Sequence, residues 1–193
     1  MEPLADVAAE KKAMRRAFIA RRDAMSPGDR ARRTERLVER LAALPEYRAA
    51  RSVLATMSIG SEWGTRGFLE RARREGKTLV LPRVAKDPPR LEIHAVADLE
   101  HDLVPGVWDI PEPDPARCPR VTLAEVDLAW VPALAVDAGR YRLGYGAGYF
   151  DGLLAGRGMR PYCVCALPAE FHVAQLPREA HDIPVDLALS DGP

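Results

Sequence analysis

Hydrophobic and polar positions along this chain follow two different periods, one early and one late. Between residues 8 and 25, Ala8, Ala9, Ala13, Met14, Ala17, Phe18, Ala20 and Met25 keep an apolar stripe. Lys11, Lys12, Arg15, Arg16, Arg21 and Arg22 lie against it, which predicts a helix. Met25-Ser26-Pro27 ends that helix. Ser26 is placed to cap a second one, with Pro27 at its first position and Asp29 completing a capping box. The second helix is expected to reach about Leu44, where Pro45 breaks it.

Short apolar runs then alternate with helical ones. Arg51 to Met57 reads as a strand, followed by a helix through Phe68, Leu69 and Ala72 that Gly76 stops. Lys77 to Leu81 is a second strand, ending at Pro82. Residues 83–126 are rich in Pro and Asp and less regular, with a strand at Leu91–Ala95. Val126 to Pro132 is an apolar strand; a glycine-rich loop follows, then a helix from Phe150 to about Ala155. Tyr162–Leu167 and Val185–Leu189 complete the strands. This alternation argues for one α/β domain over residues 1–193: three αβα layers around a mostly parallel sheet, with the N-terminal helices packed against it.

Composition narrows the class. With 47% hydrophobic and 29% charged residues, the 193-residue chain has the balance of a soluble globular protein. Its longest apolar run, Leu128–Val136, is too short to cross a bilayer, and the N-terminal stretch lacks the pattern of a secretory signal. A cytoplasmic location is expected, and three cysteines (Cys118, Cys163, Cys165) suit a reducing compartment better than a disulfide framework. The zero formal charge hides a gradient. Residues 1–90 hold 21 Lys and Arg against 12 Asp and Glu, a balance of +9, and residues 91–193 carry the compensating −9. A basic half suits a polyanion, but arginines on helices with few aromatics read better as a solvated surface.

Candidate chemistry concentrates in Asp137-Ala-Gly-Arg-Tyr-Arg-Leu-Gly-Tyr-Gly-Ala-Gly-Tyr-Phe-Asp151. The segment follows the most apolar strand and precedes a helix, the sheet edge where open α/β folds place ligands. Alternating Gly144, Gly146 and Gly148 let backbone N–H groups converge, which suits phosphate. Arg142 adds a planar cation and Asp151 a hard carboxylate for magnesium. A tight turn needing nothing but glycine's dihedral freedom is an equal reading of the same spacing. Gly76-Lys77-Thr78 resembles the end of a P-loop, but the required earlier glycine is missing and the triplet leads into a strand. Cys163-Val-Cys165 with His172 and His181 invites a zinc site; two buried apolar thiols are the better reading.

Arg142-Leu-Gly-Tyr-Gly-Ala-Gly-Tyr-Phe-Asp151 resembles the signature R-L-G-x-G-x-G-Y-Y-D of the 5-formyltetrahydrofolate cyclo-ligases, also called methenyltetrahydrofolate synthetases. The resemblance runs through nearly the whole chain. It includes a K-x-x-x-R helix (Lys11 or Lys12, Arg15 or Arg16) followed by Arg22, Ser26 and Pro27. A turn with Gly60, Glu62 and Thr65 follows, then Gly76, Lys77, Leu81, Pro82 and Arg83. Glu112-Pro113, the lead-in Val131-Pro132 to Gly139, and a closing Pro177, Glu179, His181 and Asp182 complete the order. Phe150, Gly152, Val136 and Ala147 depart from common family residues, which bears on rate or substrate range.

The resemblance implies ATP-dependent conversion of 5-formyltetrahydrofolate to 5,10-methenyltetrahydrofolate, with ADP and phosphate released and Mg2+ required. It implies ATP contacts from Lys11 or Lys12, Arg15 or Arg16, and Arg142, Leu143, Gly144, Tyr145, Gly146, Ala147, Gly148, Tyr149 and Phe150. Folate contacts would come from Met57 and Glu62 with Tyr145 to Tyr149; Arg142 and Tyr149 would act in catalysis, and Asp151 and Asp182 would hold the metal. It also implies a monomer with small-molecule partners, no nucleic acid and no membrane. The alternatives are a ligand-sensing domain, or a diverged member acting on another N-formyl or amine substrate.

Overall fold

A computed structural model describes residues 6–155 and 161–192. Helix α1 (Val7–Asp23) is capped by Asp6, whose carboxylate accepts from Ala9 N at 3.2 Å. Helix α2 (Pro27–Ala43) is capped by Ser26, which accepts from Asp29 N at 3.1 Å. The expected capping box is half made: the Asp29 carboxylate faces outward to Arg32. Pro45 does more than break α2. It sits at the first position of a short helix α3 (Pro45–Ala49), where its missing N–H costs nothing.

The α1 stripe departs from its expected orientation. Ala8, Ala9, Ala13, Ala17 and Ala20 are exposed, while Lys11, Phe18 and Arg22 are the buried residues of the helix. Small alanines bring little burial energy, so the helix turns long cations inward, where partners await them.

The central sheet has seven strands in the order β12-β10-β7-β1-β2-β3-β6. These are β1 (Ser52–Ala55), β2 (Thr78–Lys86), β3 (Pro89–Val96), β6 (Arg120–Val121), β7 (Leu128–Trp130), β10 (Tyr162–Ala166) and β12 (Leu187–Leu189). The β12-β10-β7-β1-β2 run is parallel, and β3 and β6 add antiparallel at one edge. Strand β2 runs past its expected end at Pro82. It pairs with β1 only through Thr78–Val80, so beyond that point its β1 side needs no donor and Pro82 breaks no rung there.

Helix α4 (Arg66–Arg74) lies in the connection from β1 to β2 and buries Phe68, Leu69 and Ala72. Phe68 meets Trp130 of β7 edge-to-face at 5.4 Å between ring centroids and Tyr47 at 5.6 Å. Truncating so enclosed a ring costs about 3–5 kcal/mol.

Residues 83–126, expected to be irregular, contain antiparallel hairpins. Besides the β2–β3 pair, β4 (Leu103–Pro105) pairs with β5 (Pro111–Pro113). A third sheet, β11-β8-β9, combines β8 (Ala135–Asp137), β9 (Arg142–Leu143) and β11 (His172–Val173). The apolar run from 126 to 136 is thus split: the chain leaves the central sheet after Trp130 and enters this smaller one at Ala135. Helix α5 (Tyr149–Leu154) follows the glycine-rich loop. No described helix is long and apolar enough to cross a membrane.

Candidate active site

Thr56 and Met57, just past β1, and Pro132, just past β7, form the floor of a cleft of about 500 Å³ at the carboxyl ends of the parallel strands. The glycine-rich loop Gly144–Gly148 forms one wall. Gly146 (φ 107°) and Gly148 (φ 69°) have the left-handed backbone that the alternating spacing suggested; Gly144 does not. At Gly146 a β-carbon would come within 3.3 Å of the Arg15 guanidinium, a tight contact that a small shift of that side chain relieves, so it is the left-handed backbone that calls for glycine there. Helix α5 has six residues, too few for a strong macrodipole, and positive potential at the loop comes from side chains.

Those side chains belong largely to α1. Arg15 Nε donates to Gly144 O at 2.9 Å, laying the helix across the loop. Lys11 Nζ lies 2.6 Å from Asp182 and 2.8 Å from Glu179. Of the doubled Lys-Lys and Arg-Arg pairs, Lys11 and Arg15 line the cleft, whereas Lys12 and Arg16 are exposed and do not. One turn beyond Phe18, Arg22 reaches the far end of the same cleft. Its Nη1 donates to the Tyr145 hydroxyl at 2.7 Å and its Nε to Ser61 Oγ at 3.0 Å.

Arg142 lines the cleft from β9 but is almost wholly enclosed, its side chain 2% exposed. Nη1 donates to Ile183 O at 2.6 Å, and Nη2 lies 2.9 Å from Asp151 Oδ1 as an ion pair without hydrogen-bond alignment. Asp151 in turn accepts from Ile183 N at 3.1 Å. Its first tasks are therefore structural, and the cationic reach toward the loop falls to Arg15. Leu143, Tyr145, Ala147, Tyr149 and Phe150 all line the cleft; Leu143 is buried in the core, and Tyr145 presents a half-exposed ring.

Glu62 sits at the end opposite Lys11, on the loop after β1. Its Oε2 accepts from Ile59 N at 3.0 Å, and Thr65 stiffens the loop by bonding Ser58 N at 3.0 Å. Burial, then the facing Glu62 carboxylate, pushes the Tyr145 hydroxyl well above the usual phenol range. Tyr145 thus stays protonated and joins Glu62 to Arg22.

Asp151, Asp182 and Glu179 are hard oxygen donors of the kind magnesium prefers. Glu179, His181 and Asp182 present ligand atoms within 4.8 Å of one another. Burial opposes the charge on Asp182, yet hydrogen bonds from Lys11 and the Glu179 amide hold its carboxyl below the usual range. Lys11 is raised by the same carboxylates against the lowering effect of burial. The donor set therefore fits a hard divalent cation, and Lys11 and Arg142 are the cations now balancing it. Glu179 and His181, which were not among the expected metal residues, lie beside Asp182, whereas Asp151 is not in that group and is engaged by Arg142 and Ile183 N.

Other expectations resolve plainly. Residues two apart on a strand share a face, so Cys163 and Cys165 lie on one side of β10 and orientation does not separate them. What argues against zinc is burial: both are fully enclosed, the Cys163 thiol contacts Pro161 O at 3.3 Å, and desolvation pushes Cys165 up to about 12. Gly76 ends α4 at φ 77°, and Lys77 donates to Ala50 O at 2.7 Å over the Tyr47 ring, a structural anchor outside the cleft. Asp137, on the lead-in to the loop, accepts from Tyr141 N and Leu176 N and pairs with Arg178 at 2.9 Å.

Three cleft residues were not among the expected contacts, although Arg22 and Glu112 stood in the quoted family pattern. Arg22 was one of many helix arginines. Trp108, 67% exposed at the tip of the β4–β5 hairpin, has left-handed φ at 56° beside Asp109 at 63°. Glu112 is buried with its carboxylate against Gly106, where a β-carbon would fall 2.1 Å away.

A model of the 5-formyltetrahydrofolate cyclo-ligase family matches residues 7–191. The chain is 29% identical over 137 residues to a 5-formyltetrahydrofolate cyclo-ligase of Mycolicibacterium smegmatis, covering 70% of this chain and 71% of that one. It is 26% identical over 187 residues to the Mus musculus protein of the same name, covering 93% and 92%. The solution structure of Aquifex aeolicus 5,10-methenyltetrahydrofolate synthetase superposes with a TM-score of 0.82 at 30% identity, over 94% of this chain and 89% of that one. A 5,10-methenyltetrahydrofolate synthetase from Mycoplasma pneumoniae shares the fold at a TM-score of 0.72 and 19% identity, covering 95% and 99%. With its glycine loop, its N-terminal helix and its Pro-x-Glu-x-His-Asp turn all inside the matched span, this chain belongs to the 5-formyltetrahydrofolate cyclo-ligase family.

Proposed function

We propose that this chain cyclises 5-formyltetrahydrofolate to 5,10-methenyltetrahydrofolate with ATP and Mg2+, releasing ADP and phosphate. The observation that carries this reading is the placement of Arg15 across the glycine loop at one end of a cleft whose other end holds Glu62. A polyanion and a hydrogen-bond-donating ring each find complementary groups there.

The chemistry requires positioning more than a protein nucleophile. An N-formyl oxygen is a poor leaving group, and delocalisation makes its carbon a poor electrophile. Attack of that oxygen on the γ-phosphorus releases ADP and converts the oxygen to a phosphate ester. N10 then adds to the carbon and gives up its proton, the C–O bond breaks, and inorganic phosphate leaves, carrying that proton, with the cationic methenyl bridge formed. Arg15, Lys11 and the loop amides hold the phosphates, and Arg142 fixes the strand that carries the loop. Tyr149, at the start of α5, is proposed for the reacting end, and Arg142 acts there through the strand and the Asp151 carboxylate that it holds. Glu62 accepts the N–H donors of the pterin edge, with Met57 and Tyr145 against its ring. Asp151, Asp182 and Glu179 are the residues that would hold magnesium, which when bound neutralises phosphate charge.

The test is to mix the protein with 5-formyltetrahydrofolate, ATP and Mg2+ and follow the ultraviolet band of the methenyl product. Its appearance, dependent on all three components, supports the reading. ATP hydrolysis with no methenyl band favours a diverged substrate.

A further inference from the structure

Helix α1 runs along the cleft, and one stripe of it meets the Asp182 turn, the glycine loop and the loop after β1. Lys11, Arg15, Phe18 and Arg22 follow one another at intervals of four, three and four, so they share a face. The first two meet the Asp182 turn and the glycine loop; the last meets Tyr145 and Ser61. Arg22 is 6% exposed, yet its guanidinium bonds are made to two neutral hydroxyls. Burying an arginine that way is costly unless the geometry it imposes is used.

That geometry joins two segments far apart in sequence. Ser61 directly precedes Glu62 on the loop after β1, and Tyr145 lies inside the glycine loop. Nε and Nη1 are two prongs of one rigid fork, so each bond fixes the direction of the other. The guanidinium also lies 5.8 Å from the Tyr145 ring centroid, while Asp23, the next residue on the helix, bonds the same Ser61 hydroxyl from the other side. Tyr145 in turn faces Glu62. The result is a closed chain Arg22–Ser61–Glu62–Tyr145 around the cleft end opposite Lys11.

Resting on the functional reading above, we propose that Arg22 is a positioning residue for folate, holding the Glu62 carboxylate and the Tyr145 ring at the separation the pterin requires. It touches neither substrate. The same helix thus serves the nucleotide with its first half and the folate with its last turn.

The test measures dissociation constants for 5-formyltetrahydrofolate and for ATP separately, by calorimetry, in Arg22→Ala, Arg22→Lys and Tyr145→Phe. Arg22→Ala is expected to weaken folate binding at least tenfold while ATP moves less than twofold. Added guanidinium is expected to recover part of the folate affinity in Arg22→Ala and none in the parent. Arg22→Lys, which keeps charge but loses the fork, should fall between. Because Tyr145→Phe removes only one hydroxyl from a half-exposed ring, it keeps the question answerable even if Arg22→Ala fails to fold. It should weaken folate alone, and adding Arg22→Lys to it should cost less than the sum of the two. Equal losses for both substrates, or unchanged folate affinity in a parent that binds folate, would overturn the inference. A parent that binds no 5-formyltetrahydrofolate overturns the functional reading and this inference with it.

Discussion

Arg15 Nε donates to Gly144 O at 2.9 Å, so a cation from the first helix lies against a loop 129 residues further along the chain. Its guanidinium also packs over Gly146, within 3.3 Å of where a β-carbon would stand. Arg15 is part-buried and carries no described carboxylate partner, which leaves its charge available to phosphate.

Arg15→Ala is therefore the clean probe of the nucleotide end. A charged hydrogen bond is worth about 1.5–3 kcal/mol, so the ATP Michaelis constant should rise by roughly ten- to a hundredfold. Thermal stability should change little, and Arg16→Ala, on the exposed side, should leave both unchanged. Steady-state kinetics with ATP varied at saturating folate checks this.

Arg142→Ala should behave differently, as a folding variant first. Removing the guanidinium strands Asp151 and frees the Ile183 carbonyl inside the protein. Breaking one side of a buried ion pair costs about 3–5 kcal/mol. Chemical denaturation should show that loss, and Asp151→Asn, which keeps a hydrogen-bonding side chain, should show less.

Stability should fall in acid through Asp137. Burial alone would raise its carboxyl, but Arg178 and the amides of Leu176 and Tyr141 outweigh burial and hold it below the usual range. A carboxylate depressed in the folded state stabilises fully above its unfolded pKa of about 3.9 and loses that contribution as pH falls through the folded value. Melting temperature followed from pH 6 downward should decline below about pH 4, and Asp137→Asn should be less stable at pH 6 with a flatter acid limb.

Trp108 should report folate occupancy. Trp63 and Trp130 are nearly enclosed, so Trp108 alone has a solvated indole at the cleft rim. Left-handed φ at a non-glycine costs about 1–3 kcal/mol and collects where function uses it. Adding 5-formyltetrahydrofolate should quench the long-wavelength emission, ATP should quench it less, and Trp108→Phe should lose the signal.

Much of this was legible in the residues themselves. The parallel strands β1, β7 and β10 are short apolar runs whose burial on both faces follows from composition, and the glycine loop announces itself by spacing. The orientation of α1 was not legible, because the eye assigns alanines to the core and arginines to water. Lys11 and Arg22 go inward since Asp182, Glu179, Ser61 and Tyr145 wait there, and those partners lie between 39 and 171 residues away. The hairpins within residues 83–126 escaped for a similar reason. Strands of three residues such as β4 and β5 carry too few side chains to display a period, and the close packing of Glu112 on Gly106 across their turn has no periodic signature either. Glu179 lay in the quoted Pro-x-Glu-x-His-Asp turn; its amide bonds Asp182, and its 2.8 Å contact with Lys11 brings its carboxylate to the same cation.

The central claim is that one cleft couples phosphoryl transfer to ring closure. Its most direct test is stoichiometry: in a single reaction with limiting 5-formyltetrahydrofolate, excess ATP and Mg2+, methenyl product, ADP and inorganic phosphate are quantified together. Equal amounts of all three, with no ADP formed when folate is omitted, are predicted. ADP accumulating without methenyl product, or methenyl product forming without ATP, would contradict the account.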